Sequence, residues 1–192
     1  MINLQPLLSN NTHSDPYSFF LGAKIPKWDI YKNDVVNFSV KTFKKDYNPT
    51  KGYNVLLDPN KLNIINTIYD DFLKICFHNF DNINVVPHNR KIMWAYVQNK
   101  ERYNSVWHNH KNTTTINAVW YPSVPDESGT LSIRDGEGIG DIAVKEGWIY
   151  FWPYWMDHKP NPQKHSMDWR VSINIELLSD TRPSFKPTNT LW

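Results

Sequence analysis

The sequence predicts a mainly β protein of the sandwich or barrel type with a flanking helix. Two observations support this prediction: one long helical pattern occupies the middle of the chain, and a series of short strands follows it. Short strands at short intervals, separated by Pro, Gly and Asp, are typical of sandwiches and barrels. With 192 residues and a net charge of +2, the chain fits a single domain, 1–192.

The helical pattern begins at Asp58-Pro59, where an N-cap residue precedes a proline at the first helical position. From Leu62 to Phe80, apolar residues recur at steps of three and four. This spacing predicts a helix of about five to six turns with one apolar face. We expect that face to pack against a sheet.

The N-terminal part of the chain has a weaker pattern. Residues 1–27 show no sustained periodicity and predict an irregular arm. In the segment from Trp28 to Phe43, the apolar residues Val36, Phe38 and Val40 alternate with polar ones. Alternation places successive side chains on opposite faces of a strand, so this segment is predicted to be a strand.

The second half of the chain predicts the β core, over residues 91–178. Its segments are rich in β-branched and aromatic residues and are separated by turn-forming residues. The predicted strands are Lys91–Asn99, Thr113–Tyr121, Gly129–Asp135, Asp141–Val144, Gly147–Trp152 and Trp169–Leu177.

Composition excludes several classes of function. Lys and Arg number 21 against 19 Asp and Glu, and no block of like charge indicates a nucleic-acid partner. No apolar run is long enough to span a membrane, and the N-terminus lacks a signal-peptide pattern. The lone Cys76 lies in the helical pattern and fits a reducing compartment. We expect a cytoplasmic protein, with its oligomeric state left open.

Two histidines stand two residues apart in the stretch VWHNHKNTTTINAVWYP, at His108 and His110. In an extended segment both imidazoles point to the same side, and neutral imidazole commonly binds Zn, Fe, Ni and Cu. The later stretch GWIYFWPYWMDHKP adds His158, in a loop after a strand. Three such ligands leave open positions for substrate and dioxygen. The competing interpretation is a pair of exposed loop histidines.

Arg170 and Ser172 lie on the last predicted strand, WRVSINIEL. If the apolar residues Val171, Ile173 and Ile175 face the packed side, Arg170 and Ser172 share the opposite face. An inward-facing arginine requires an anionic partner, and its planar guanidinium matches a carboxylate. The competing interpretation is an arginine on the outer face, in water.

The order of these motifs resembles the 2-oxoglutarate- and Fe(II)-dependent oxygenases. The match runs from WHNHKNTTTINAVWYPSVP through EGWIYFWPYWMDHKPNP to WRVSINIEL, over roughly residues 91–178. More narrowly, these stretches are similar to a group of oxygenase-like proteins of which several come from phages. The resemblance implies a double-stranded β-helix, also called a jelly roll or cupin-like fold, flanked by helices. If the chain is phage-encoded, the resemblance also implies that the protein is located in the cytoplasm of the host.

The resemblance further implies two cofactors, Fe(II) and the co-substrate 2-oxoglutarate. His108 and His158 match the family's two histidine ligands, and His110 stands at the position of its third ligand. The reaction implied is hydroxylation of an unidentified substrate, with release of succinate and CO2. Arg170 and Ser172 match the residues that hold the distal carboxylate of 2-oxoglutarate, and we expect Tyr96 and Asn104 to add hydrogen bonds to the co-substrate.

His110 departs from the family pattern, because most members carry Asp or Glu at this position. Three neutral ligands leave the site about one charge more positive than two histidines and a carboxylate. Asp126, Asp135 or Asp157 is a candidate for the missing carboxylate ligand. Asp157 is adjacent to His158, and the simpler expectation is that it orients the His158 ring without binding the metal. A bulky imidazole argues against halogenase activity, for which the family leaves this position small.

Two alternatives remain at this stage: a three-histidine cupin dioxygenase that uses no 2-oxoglutarate, and a non-catalytic β-sandwich binding module. The cupin pattern requires a glutamate shortly after the histidine pair, where this chain has Thr113 and Thr114. Aromatic residues form 15% of the chain and suggest an aromatic-walled cleft. The candidate walls are Trp94, Tyr96, Trp107, Trp120, Trp152 and Trp155.

Overall fold

The computed structural model describes residues 1–7, 17–47, 54–86, 93–111, 114–126, 128–134 and 138–186. These residues form two α-helices, a 3-10 helix and a set of mostly short β-strands. None of the helices in these ranges is long and apolar enough to cross a membrane. The predicted fold class, mainly β with a jelly-roll core and flanking helices, is confirmed.

The elements follow one another along the chain, with most strands in the second half. In order they are β1 Gln5–Pro6, β2 Leu21–Lys24, the 3-10 helix Pro26–Tyr31, α1 Lys32–Asp46, β3 Asn54–Leu56, α2 Ile64–Asn79, β4 Phe80–Asp81, β5 Met93–Gln98, β6 Ile116–Ser123, β7 Leu131–Arg134, β8 Ile139–Ile142, β9 Trp148–Pro153, β10 Asp157–Pro160, β11 Arg170–Leu177 and β12 Ser184–Phe185.

Two antiparallel sheets form the core. The large sheet has the strand order β1-β2-β9-β6-β11-β5-β3, and the small sheet has the order β10-β7-β8. A buried cluster joins them, with Val119, Tyr121 and Trp152 from the large sheet and Leu131 and Ile133 from the small one. The space between the two sheets is therefore where a site can form.

The two faces of β11 contact different parts of the molecule. Val171, Ile173 and Ile175 pack into the cluster that contains the apolar face of α2, whereas Ser172 and Asn174 line a cavity on the opposite face. This division follows from the alternation of side chains along a strand. The predicted alternation of this segment is confirmed.

The predicted strand from Trp28 to Phe43 is wrong, since this stretch forms the 3-10 helix and most of α1. The buried residues of α1 are Val35, Ser39 and Phe43, which are four apart and lie on one helix face. The middle one is polar, and its hydroxyl donates to the Val35 carbonyl at 2.7 Å. Because Ser39 is polar, the spacing of the apolar residues alone does not show the helical period of the buried face.

Other boundaries also differ from the predictions, among them the strand predicted over Asp141–Val144, which is β8 at Ile139–Ile142. The arm predicted over residues 1–27 supplies β1 and β2 to the large sheet, where β2 pairs with β9. Helix α2 begins at Ile64 rather than at Pro59, because Asp58 instead closes a turn, in which its Oδ1 accepts from the Asn60 amide at 2.9 Å. The predicted loop around His158 is strand β10.

Candidate metal centre

Main-chain hydrogen bonds place the three predicted histidines together. His108 and His158 are directly opposite in an antiparallel bridge, in which each amide donates to the carbonyl of the other residue. The nitrogen-to-oxygen distances are 3.1 and 2.9 Å. The His110 amide donates to the Tyr154 carbonyl at 2.9 Å. Because opposite residues of an antiparallel pair project to the same side, the His108 and His158 imidazoles meet.

The ring nitrogens have the spacing of a metal site. One nitrogen from each of His108, His110 and His158 lies within 4.8 Å of the others, and the Nε2 atoms of His110 and His158 are 3.3 Å apart. Nitrogen ligands held about 2.0–2.1 Å from a metal lie about 3 Å apart when they bind at right angles. The cluster therefore needs little adjustment to hold one ion.

Each Nδ1 atom has an oxygen partner on the side away from the cluster. His108 Nδ1 is 2.9 Å from the Val106 carbonyl, and His158 Nδ1 is 3.2 Å from the Met156 carbonyl. His110 Nδ1 is 2.7 Å from Glu176 Oε1. These acceptors assign the ring proton to Nδ1, which leaves the Nε2 lone pairs free to bind a metal.

Desolvation inside the cluster favours the neutral form of two of these imidazoles, the buried His158 and the more exposed His108. Desolvation lowers the pKa of His158 well below its ordinary value, and the neighbouring His108 and His110 add to this effect. Desolvation also lowers the pKa of His108. A metal binds the neutral imidazole, so both rings are ready for coordination near neutral pH.

Glu176 was missed by the sequence analysis. It is a buried residue of β11, on the same face as Arg170 and Ser172. Its position six residues after Arg170 was the available signal, since even spacing along a strand keeps residues on one face. Its pairing with His110 could not be deduced, because the two residues are 66 positions apart.

The carboxylates considered from the sequence lie elsewhere. Asp157 accepts from Asn109 Nδ2 at 2.8 Å and from Arg134 Nη2 at 2.7 Å, and a main-chain carbonyl occupies His158 Nδ1. The expectation that Asp157 orients His158 is therefore wrong. Asp126 is exposed and is not part of the cluster, and Asp135 lies outside the described residues.

A cavity of about 370 Å³ opens over the three histidines, a size typical of small-molecule sites. The candidate aromatic walls that line it are Trp94, Tyr96 and Trp152. Within the described ranges, the candidates that do not line it are Trp107, Trp120 and Trp155. Trp120 packs against Trp28 beneath the sheet, and Trp107 lies under the side chains of Arg134 and Lys159.

Tyr96 and Asn104 meet at the wall of this cavity. The Tyr96 hydroxyl donates to the Asn104 carbonyl and accepts from the Asn104 amide, both at 2.5 Å. These bonds attach the segment that leads to His108 to strand β5. A contact of either residue with a co-substrate stays a prediction.

Arg170 is 2% exposed, so an outer-face arginine in water is excluded. Its Nη2 donates to the Asn161 carbonyl at 2.8 Å, and its Nη1 donates to the Gly129 carbonyl. With the Gln98 amide turned so that its oxygen faces the guanidinium, Nε also donates to that oxygen at 2.8 Å. No carboxylate in the described part of the chain forms an ion pair with Arg170.

Arg170 lies behind the cavity wall. Its guanidinium interacts electrostatically with Tyr121 and Tyr96, which both line the cavity. Ser172, two residues along the same strand face, also lines it. The three histidines therefore line the cavity, whereas the Arg170 guanidinium is buried behind its wall.

No protein-family model and no curated protein matches the chain. Among solved structures it is similar to a Pseudomonas putida prolyl-4-hydroxylase, with a TM-score of 0.60 at 11% identity over 83% of this chain and 92% of that one. It is also similar to the non-heme alpha ketoglutarate dependent carbocyclase SnoK from nogalamycin biosynthesis, with a TM-score of 0.59 at 12% identity over 97% and 91%.

A third similar structure is the viral collagen prolyl hydroxylase of Paramecium Bursaria Chlorella virus-1, solved as a 2OG complex. Its TM-score is 0.51 at 17% identity, over 81% of this chain and 94% of that one. At such identities the likeness establishes the fold, which this chain shares with these enzymes. The narrower resemblance to a phage group stays a prediction.

Proposed function

We propose that the protein is a non-haem Fe(II)- and 2-oxoglutarate-dependent oxygenase that hydroxylates an unidentified substrate and releases succinate and CO2. One observation carries the proposal: three imidazoles converge in a cavity, and a buried arginine that forms no ion pair with a carboxylate of the described residues lies behind the wall of that cavity. The jelly-roll fold supports it, since similar structures include an alpha ketoglutarate dependent enzyme and a hydroxylase solved as a 2OG complex.

In this proposal His108, His110 and His158 hold the iron. The fit is supported by the Nε2 atoms of His110 and His158, 3.3 Å apart, and by the oxygen partners of all three Nδ1 atoms. Bound iron and 2-oxoglutarate together supply the activation of dioxygen. The histidines fix the position of the ion while leaving its remaining coordination positions open.

Arg170 and Ser172 bind the distal carboxylate of 2-oxoglutarate. Among the described residues the buried guanidinium is bonded to neutral oxygens and has no ionic partner to offset its desolvation, and a dicarboxylate offers one. Ser172 adds a hydroxyl donor at the cavity surface. Tyr96 and Asn104 hold the wall beside this subsite.

The remaining wall residues exclude water and admit substrate. Trp94, Val119, Leu131 and Trp152 give the cavity an apolar lining, which protects a reactive centre from side reactions. His108 is exposed whereas His158 is buried, so the opening to solvent lies on the His108 side. We place the entrance for the substrate there.

The test is an anaerobic titration of 2-oxoglutarate into Fe(II)-loaded protein by calorimetry, followed by admission of O2 and measurement of succinate. We expect saturable binding that requires the metal, and succinate only when Fe(II), 2-oxoglutarate and O2 are all present. The variant His158→Ala serves as the control without a complete metal site. Iron-loaded protein that does not bind 2-oxoglutarate would refute the proposal.

A three-histidine dioxygenase without an organic co-substrate is the second candidate. The imidazole of His110 in place of a carboxylate favours it. Arg170 and Ser172 have no role in that scheme. Consumption of O2 with a substrate in the absence of 2-oxoglutarate would select this candidate over the first.

A further inference from the structure

A buried carboxylate lies directly behind one of the three histidines. The Glu176 side chain is 3% exposed, and its Oε1 is 2.7 Å from Nδ1 of His110, whose side chain is 10% exposed. His108 and His158 instead direct Nδ1 to main-chain carbonyls. Of the three rings, His110 is thus the one held by a charged side chain, and it is also the one that departs from the family pattern.

This hydrogen bond determines what His110 presents to the cavity. A buried carboxylate is stable only when it accepts hydrogen bonds, and His110 Nδ1–H is the donor in position. The proton on Nδ1 leaves a lone pair on Nε2, which faces His158 Nε2 at 3.3 Å. Two lone pairs at that distance repel each other unless a cation lies between them.

We propose that Glu176 is a positioning residue of the metal centre that aims His110 Nε2 at the ion and supplies the negative charge that a histidine ligand lacks. The inference rests on the metal site of the proposed function. Together, three histidines and Glu176 carry the same total charge as two histidines and a carboxylate ligand. In this chain the negative charge lies on the far side of the His110 ring, instead of on a residue that binds the metal directly.

The physical effect is on metal affinity. A carboxylate that accepts from the far nitrogen of a ligating imidazole fixes its tautomer and orientation and makes the ring a stronger donor. Glu176 can act in this way without touching the ion, and within the part of the chain that the structure describes the clustered ligand atoms belong to the three histidines.

The primary experiment is Glu176→Gln, which keeps the side-chain shape and an acceptor oxygen but removes the charge. Co(II) affinity is measured by competition with a chromophoric chelator, without 2-oxoglutarate or O2. We expect binding to weaken about 10–100-fold, as for other outer partners of metal ligands. Binding equal to that of the wild type would overturn the proposal.

Asp157→Asn is the matched control, because it makes the same chemical change one residue away from His158. The Asp157 carboxylate contacts Asn109 and Arg134 rather than a histidine ring, so we expect Co(II) affinity to change little. A loss equal to that of Glu176→Gln would mean that any nearby negative charge suffices, which contradicts a specific role for Glu176.

A second background separates charge supply from a purely structural role. In His110→Asp, the residue at position 110 brings its own carboxylate, which then stands close to Glu176 and is repelled by it. Glu176→Gln should therefore leave Co(II) affinity unchanged or raise it in this background. An equal loss in both backgrounds would show that Glu176 only maintains the fold, and would overturn the proposal.

A measurement on the wild type does not depend on any variant folding. In Co(II)-loaded protein, proton NMR should detect a hyperfine-shifted, exchangeable Nδ1–H signal from His110, exchanging more slowly than that of the exposed His108. Absence of this signal overturns the proposal, since His110 would then bind through Nδ1. All these readouts use the metal alone, so failure to consume 2-oxoglutarate would refute the proposed function and leave this inference standing.

Discussion

Strand β11 carries two buried charges of opposite sign, and the molecule treats them differently. Glu176, near one end, and Arg170, at the other, are each 2% exposed and share one face of the strand. Glu176 is bonded to the His110 ring. Arg170 is bonded to the carbonyls of Gly129 and Asn161.

The difference lies in the kind of partner that each buried charge has within the described part of the chain. A buried ion is costly without a charged or strongly hydrogen-bonding partner. Glu176 accepts a hydrogen bond from the His110 ring, whereas in the described part of the chain Arg170 donates to neutral oxygens. Under the proposed function, Arg170 gains an ionic partner only when 2-oxoglutarate binds.

The largest effect is expected at the metal end, from His158→Ala. This variant removes the most deeply buried of the three ligands, so we expect Co(II) affinity to fall by more than the roughly 10–100-fold caused by changes to outer partners. Chelator competition measures it, with thermal unfolding of the metal-free variant as the folding control. Unchanged affinity would place the metal elsewhere.

The next effect is expected at the other end, from Arg170→Lys, which keeps the charge but loses the planar fork. We expect 2-oxoglutarate binding to weaken roughly tenfold or more, as when a hydrogen bond to a charged group is lost. Co(II) affinity should stay at the wild-type value. If both affinities fall equally, or if neither falls, Arg170 does not belong to the co-substrate subsite.

Gly129→Ala tests the carbonyls that hold Arg170. A Cβ at Gly129 would lie 2.2 Å from the Asn161 carbonyl oxygen, so the backbone must shift, at a cost of about 1–3 kcal/mol in the free energy of unfolding. We expect weaker 2-oxoglutarate binding with metal affinity retained. Gly138→Ala is the matched control, because a Cβ there meets nothing within 4 Å. Equal behaviour of the two variants would contradict the role of this contact.

The smallest effect is expected in the pH dependence of the metal-free protein. Folding lowers the pKa of His158 and of His108 below the ordinary value of 6.5, so below that pH the unfolded chain binds more protons. The free energy of unfolding should therefore fall as pH decreases from about 7.5 to about 5.5. Urea unfolding measures it, and His158→Gln should reduce the slope. An equal slope in that variant would contradict this origin.

Features that depend on local periodicity could be predicted from the order of the residues. The helical spacing in α2, the alternation along β11, and the pairing of His108 with His110 on one side of an extended segment are all properties of neighbouring residues. Arg170 was found in the same way, from the alternation along its strand, whereas His158 was found from its place after an apolar strand and from the family resemblance. Such patterns repeat over a few residues, so they can be identified in the sequence.

Features that depend on contacts between distant segments could not be predicted in this way. Strand β2 pairs with the edge of β9. Segment α1 is a helix although one of its buried residues, Ser39, is polar. The partner of His110 is Glu176, 66 residues away, rather than the nearby Asp157. Sheet packing brings such residues together, and no local pattern encodes which carboxylate will reach which ring.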